Sequence, residues 1–107
     1  MAVYKNIINT SDNTLITKTS YSGPQQGGII SSIHISNNKE AIDTPLDLWL
    51  EDYNDGSVKH YFTKNLVIPK GVSLVLDDNL SFDIKKYKLV VNANDGANNP
   101  DLTIIIK

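Results

Sequence analysis

The stretch VIPKGVSLVLDDNLSFD, Val67 to Asp83, decides the fold. Val72, Leu74 and Leu76 fall on one face of an extended chain, and Leu80, Phe82 and Ile84 repeat the same two-residue period, so both pieces predict half-buried strands. Pro69-Lys70-Gly71 marks the turn that opens the first. Asp77-Asp78-Asn79 lies between the two, and a turn linking strands calls for this composition. Adjacent residues on a strand point to opposite faces. The two aspartates therefore read as a corner, ahead of the cation site or glycosidase carboxylate pair they would otherwise evoke.

The same alternation extends in both directions. Val3 to Thr10 and Thr14 to Ser20 predict two short strands around the turn Ser11-Asp12-Asn13, followed by a Gly/Pro/Gln-rich loop from Ser22 to Gly28. In GGIISSIHISNN the expected inward set is Ile29, Ile33 and Ile35, with Ser31 in phase; Ile30, Ser32, His34 and Ser36 face out. Asn37 to Glu40 ends that strand. TPLDLWLED then sets Leu46, Leu48 and Leu50 against Asp47, Trp49 and Glu51, and its expected partner is VKHYFTKNLVI. A three-residue loop, Asn54-Asp55-Gly56, would place Leu48 opposite Phe62, Trp49 opposite Tyr61 and Glu51 opposite Lys59, with Gly56 left-handed. Leu89, Val91 and Ala93 follow; after the loop from Asn94 to Pro100, Leu102, Ile104 and Ile106 form a closing strand. No window of 11 residues or more carries a helical period. The expected fold is all-β: one domain spanning residues 1–107, a two-sheet antiparallel sandwich of Ig-like or jelly-roll-like type with about 7 to 9 strands.

A chain of 107 residues can bury one modest core, since folding at that size hides roughly two-thirds of the unfolded surface. Without cysteine there is no disulfide, thiolate nucleophile or thiolate metal site. The net charge of −2 offers no footprint for nucleic acid or an anionic membrane. No apolar run approaches the roughly 20 residues that span a bilayer, and MAVYKNIINT lacks the pattern of a signal peptide. A cytoplasmically made, soluble protein is expected. All 10 basic residues are lysine, so bidentate arginine grips on phosphate or carboxylate are absent. The abundance of lysine, asparagine and isoleucine fits an AT-rich genome.

Catalysis of the Ser-His-Asp kind needs a histidine beside a nucleophile and an orienting acid. His34 lies on a polar strand face and His60 at a boundary position, so no enzyme is expected and no catalytic residue is assigned. EDYNDG has the oxygen-rich composition that calcium favours, but the following SVKHYFTK supplies no bidentate carboxylate further on, and a hairpin turn accounts for it. The same holds for Asn94-Asp95-Gly96 and for Asn98 to Asp101. No metal or cofactor is expected. The less ordinary feature is aromatic. Trp49 and Tyr61 share the outward face, flanked by Asp47, Glu51 and Lys59, with Val75 and Val90 as candidates to widen the patch. Interface cores are enriched in Trp and Tyr, which makes these five polar and aromatic residues candidate contacts for another protein chain. The alternative is a carbohydrate-binding module in which Trp49 stacks on a sugar and Asp47, Glu51 or Lys59 bind its hydroxyls.

Taken in order, the amino-terminal hairpin, the Gly/Pro loop, GGIISSIHISNN, the acid-rich hairpin, KNLVIPKGVSLVLDDNLSFDIKKYKLVVNAN and the final apolar strand resemble the small β-sandwich virion proteins of tailed bacteriophages, especially T4-like phages of marine cyanobacteria. The resemblance spans about Tyr21 to Lys107. It is carried most by Ile68-Pro69-Lys70-Gly71 followed by Ser73-Leu74-Val75-Leu76, and by Lys88-Leu89-Val90-Val91. It implies a non-enzymatic structural or assembly subunit, such as a decoration, head-to-tail or tail-associated protein, made in the host bacterial cytoplasm and located in the virion. Its implied partners are other virion proteins and further copies of itself, with edge strands as additional docking surfaces.

Overall fold

The chain is described from a computed structural model that covers residues 3–17, 28–77, 80–94, 96 and 99–107. The strands are β1 (Val3–Ile7), β2 (Asn13–Ile16), β3 (Gly28–Ile30), β4 (Ile33–Asn37), β5 (Thr44–Asp52), β6 (Lys59–Ile68), β7 (Ser73–Leu76), β8 (Leu80–Phe82), β9 (Tyr87–Ala93) and β10 (Leu102–Ile106). Their pairing is nested. β1 pairs with β10, β2 with β9, β3 with β8, β4 with β7 and β5 with β6, all antiparallel, as in one long hairpin closed at the β5–β6 turn. Two further antiparallel pairings, β10 with β4 and β5 with β9, wrap that hairpin into two four-stranded sheets.

The sheet orders are β1-β10-β4-β7 and β2-β9-β5-β6, with β3 and β8 as a separate two-stranded ribbon. This order is that of the eight-stranded jelly roll, and it differs from the Ig order, which sets strands A, B, E and D against C, F and G. The sandwich thus has the two-sheet, all-β architecture expected, and of the two variants it takes the jelly roll. The closing strand β10 lies inside its sheet, between β1 and β4.

Period-two alternation builds the core. Ile33 and Ile35 of β4, Leu102, Ile104 and Ile106 of β10, Leu46, Leu48 and Leu50 of β5, and Leu89, Val91 and Ala93 of β9 all turn inward and are buried. Fully burying one such aliphatic side chain stabilises by about 1.5–3 kcal/mol. Ile30, Ile68, Phe82 and Ile84 pack into the same cluster. The polar Asn37 sits with them, buried, in the inward phase of Ile33 and Ile35. Its Nδ2 donates to the carbonyls of Ile42 and Ile68, both at 2.9 Å, and its Oδ1 accepts from Lys39 N at 3.0 Å.

Several local expectations change. GGIISSIHISNN is two strands, not one: β3 belongs to the ribbon and β4 to the sheet, and the N–H groups of Ser31 and Ser32 between them both donate to Lys107 O, at 2.7 and 3.2 Å. The break shifts the phase by one, so Ile30 is buried and Ser31 is exposed. Between β5 and β6 the register pairs Trp49 with Tyr61 and Glu51 with Lys59 as expected, but Leu48 faces Thr63. Phe62 is the extra residue of a β-bulge and is displaced to the surface. The turn before it needs no left-handed glycine, since Gly71 and Gly96 are the glycines with positive φ among the described residues. Asp55 shapes it instead: its carbonyl accepts from Val58 N at 3.0 Å, and its Oδ1 accepts from Ser57 N at 3.0 Å and Ser57 Oγ at 2.6 Å. Those two Ser57 bonds hold the Asp55 carboxyl below its ordinary value, the side-chain bond first. Val72 lies before β7 and is exposed, while Leu74 and Leu76 are half-buried. Asp77, at the corner that closes β7, is exposed; Asp78 and Asn79 lie outside the described residues, as do Asp95 and Asn98.

Candidate functional site

The outer face of the β2-β9-β5-β6 sheet carries the candidate residues. Trp49 is flanked by Val90 on β9 and Tyr61 on β6. The Trp49 and Tyr61 rings pack at 5.6 Å between centroids with a 46° tilt. Lys59 Nζ stands 4.9 Å from the Trp49 centroid, and Lys64 Nζ 5.0 Å from that of Tyr61. Trp49 Nε1 donates to Glu51 Oε1 at 3.3 Å, while Glu51 Oε2 meets Lys88 Nζ at 3.3 Å. Glu51 is thereby paired by ion contact with Lys88, a residue outside the expected set.

This arrangement corrects one expectation. Trp49 is only 2% exposed and Val90 is equally buried, although both lie outside the sandwich core, whereas Tyr61 is 43% exposed. The Trp49 ring is already occupied by Tyr61 and Lys59, so it offers no open platform for a sugar. Val75 is exposed, but it belongs to the other sheet and cannot widen this cluster. On β6, Lys59, Tyr61, Phe62 and Lys64 around this cluster are exposed, as are His60, Asn65 and Val67.

Asp47 does something the sequence did not announce. It sits opposite a second bulge of β6, where Lys64 and Asn65 together face one residue of β5. Asp47 Oδ1 accepts from Asn65 N at 2.7 Å, and Asn65 has φ 55°, the left-handed conformation that Asn tolerates better than most side chains. Beside this bulge is a depression of about 260 Å³ lined by Pro45, Leu46, Asp47, Asn65, Asn92, Asn94 and Gly96. Asn92 faces Asp47 across β5 and β9, and its Nδ2 donates to Thr10 O at 3.0 Å and to Asp12 Oδ1 at 2.9 Å. Asn94 N donates to Pro45 O at 3.3 Å, and Asn94 Oδ1 accepts from Gly96 N at 2.7 Å. The alternation of β5 and β9 puts Asp47 and Asn92 outward; the bulge that recruits Asn65 leaves no mark in the alternation.

The two histidines are apart. His34 is on the outer face of the β1-β10-β4-β7 sheet, between Ile105 and Val75 in register. His60 is exposed on β6 and packs edge-on against Tyr87, centroids 5.6 Å apart. Among the described residues no group of three or more His, Cys, Asp or Glu is placed to hold a metal ion.

No protein-family model matches the chain, and no curated protein matches it. Among solved structures, a chain from the T13 IBDV viral particle is a weak structural neighbour, with a TM-score of 0.43 and 7% identity over 98% of this chain. The present chain spans 30% of the length of that one.

Proposed function

We propose that this protein is a non-enzymatic virion structural or assembly subunit of a tailed bacteriophage, a decoration, head-to-tail or tail-associated component that acts by packing against copies of itself and other virion proteins. The observation that carries this reading is a row of exposed apolar side chains along two edge strands. β6 and β7, consecutive in the chain and joined by the Pro69–Val72 turn, are edge strands of the two sheets, and Phe62, Val67, Val72 and Val75 along them are all exposed, Val67 by 52%. An open edge presents unpaired backbone donors and acceptors to a further strand. The edges differ in how they are guarded. β6 carries Lys59, Lys64 and two bulges, devices that blunt edge pairing; β7, Ser-Leu-Val-Leu, has neither lysine nor bulge. The jelly roll is also an architecture that viral capsid domains share with lectins, a support by fold analogy. The resemblance read from the sequence supplies the phage, the virion location and assembly in a host cytoplasm.

Light scattering coupled to size exclusion tests the reading over a wide concentration range, with and without EDTA. A discrete multimer indifferent to EDTA is expected, shifted toward monomer by the Val67→Lys, Val75→Lys double substitution. A multimer unmoved by that substitution would remove the β6–β7 flank as the contact. A parent chain that stays monomeric at every concentration, and is missing from the peptides of purified particles, would overturn the assembly role.

A further inference from the structure

The geometry points to a binding site for a neutral, hydroxyl-rich ligand, a single hexose unit or the end of a glycan, in the depression beside the β6 bulge. It goes beyond the assembly reading and does not depend on it. Asp47, Asn65 and Asn92 come from three neighbouring strands, and Asn94 follows directly on β9. Aspartate and asparagine are depleted in strands, yet three of them stand side by side here, two on the central strands β5 and β9. Asn65 is the non-glycine residue with positive φ among the described residues. A bulge that re-aims a side chain next to a concavity, with the backbone held off its ordinary conformation, is what sites of binding tend to show.

The lining selects the ligand. Amide and carboxylate groups supply both donors and acceptors in planar pairs, which suit adjacent hydroxyls. Among the described residues no lysine lines the depression, and Asp47 disfavours an anion. A calcium ion asks for six to eight oxygens with several carboxylates. Among the described residues the wall holds one carboxylate, and that of Asp12 nearby already accepts from Asn92. Pro45, half-buried and out of the inward phase of Leu46, contributes the apolar part of the wall, against which the C–H face of a sugar ring can rest. The volume of about 260 Å³ falls below the usual range for drug-sized ligands, which sets the size at one ring. Binding by one ring on so open a wall is in the millimolar range. A longer glycan would run along β5 and β6 toward Tyr61, which lies on the same face.

The test is an NMR titration of the isotope-labelled chain with a panel of methyl glycosides carried to high millimolar concentration. Saturable shifts of the Asn65 and Asn94 side-chain amides and of Gly96 N–H are expected with at least one glycoside. Asn65→Gly keeps the left-handed backbone while deleting the amide, and Asn94→Ala removes its neighbour; each should weaken binding by about tenfold with the rest of the spectrum unchanged. Absence of saturable shifts across the panel would overturn the site, as would shifts that survive both substitutions. A saturable response to calcium chloride alone, reversed by EDTA, would replace the polyol with a cation. Light scattering on the same samples separates this from assembly: a multimer with no glycoside response sinks only the binding site, and a glycoside-binding monomer sinks only self-assembly.

Discussion

Replacing Asn37 with alanine tests how the corner between the two sheets is held. The side chain makes three hydrogen bonds, to the carbonyls of Ile42 and Ile68 and from Lys39 N, from a position that is 1% exposed. Each bond contributes about 1 kcal/mol net, and leaving the buried Ile68 carbonyl unpaired adds about 1–3 kcal/mol. The expected cost is therefore about 4–6 kcal/mol. Against a total stability of about 5–15 kcal/mol for a domain of this size, that is a large share. With about 4 °C or more lost per kcal/mol, thermal unfolding should fall by about 16 °C or more. Asn37→Asp sharpens the test. It keeps the acceptor for Lys39 N but turns an oxygen toward the two carbonyls, so the folded state favours the protonated acid and raises its pKa above the unfolded value of about 3.9. A group raised on folding contributes stability that is present below the unfolded pKa and is lost as pH rises through the folded one. The deficit of Asn37→Asp relative to the parent should thus shrink in acid, while that of Asn37→Ala should not. Urea unfolding near neutral pH and near pH 3.5 measures both. A loss under about 1 kcal/mol for the alanine variant, or an aspartate deficit equal at both pH values, would refute the reasoning.

The other perturbations probe the outer face and the turns. Trp49→Ala should cost about 3–5 kcal/mol by chemical denaturation, because the ring is buried and takes the Glu51 and Lys59 contacts with it; unchanged stability would mean that the ring is not packed as described. Asn65→Val should lose about 1–2 kcal/mol to the left-handed backbone, while Asn65→Gly stays within about 0.5 kcal/mol of the parent. Equal stabilities would place Asn65 in ordinary extended backbone. Ser57→Ala should return the Asp55 carboxyl toward its ordinary value in an NMR pH titration, since both bonds that depress it end on Ser57 and the side-chain one is lost. A carboxyl depressed on folding contributes stability that is present above its unfolded pKa and lost as pH falls through the folded one, so the parent should shed this contribution in acid and the Ser57 variant should have less to shed.

Much of the architecture is legible as alternation. Leu46-Leu48-Leu50, Leu89-Val91-Ala93 and Leu102-Ile104-Ile106 are read correctly as inward sets because each strand runs unbroken between partners on both sides. Alternation misleads where the backbone skips a step. At Ser31-Ser32 the chain leaves the ribbon for the sheet, and at Phe62 and Asn65 the edge strand gains residues that its partner lacks. A bulge changes phase without changing composition, so a period-two rule carries the wrong parity past it. Asn37 shows the converse. In sequence it reads as a strand breaker, although its place two residues after Ile35 already put it in the inward phase; what the sequence could not reveal is the pair of distant carbonyls that makes an amide acceptable there.

The same reasoning separates the two groups of outward residues on the β2-β9-β5-β6 sheet. Trp49 stands out by type, as a large aromatic on a face expected to be wet, yet its ring, indole N–H and neighbouring charges are all engaged within the chain. In sequence Asp47 stands out only as a neighbour of Trp49 and Asn94 only as part of a turn, and with Asn65 and Asn92 they form no set, because the four are scattered over 48 positions. Only the nested pairing, β5 with both β6 and β9, brings them to one wall. Hydrogen bonds within the chain take up part of that wall: one Asp47 oxygen holds the bulge, and Asn92 anchors the segment at Thr10 and Asp12. The bulge itself would be served as well by a glycine at position 65, so its stability does not require an amide there. That surplus is what the titration with Asn65→Gly isolates, and it locates the chemistry of this face beside the bulge and away from the tryptophan.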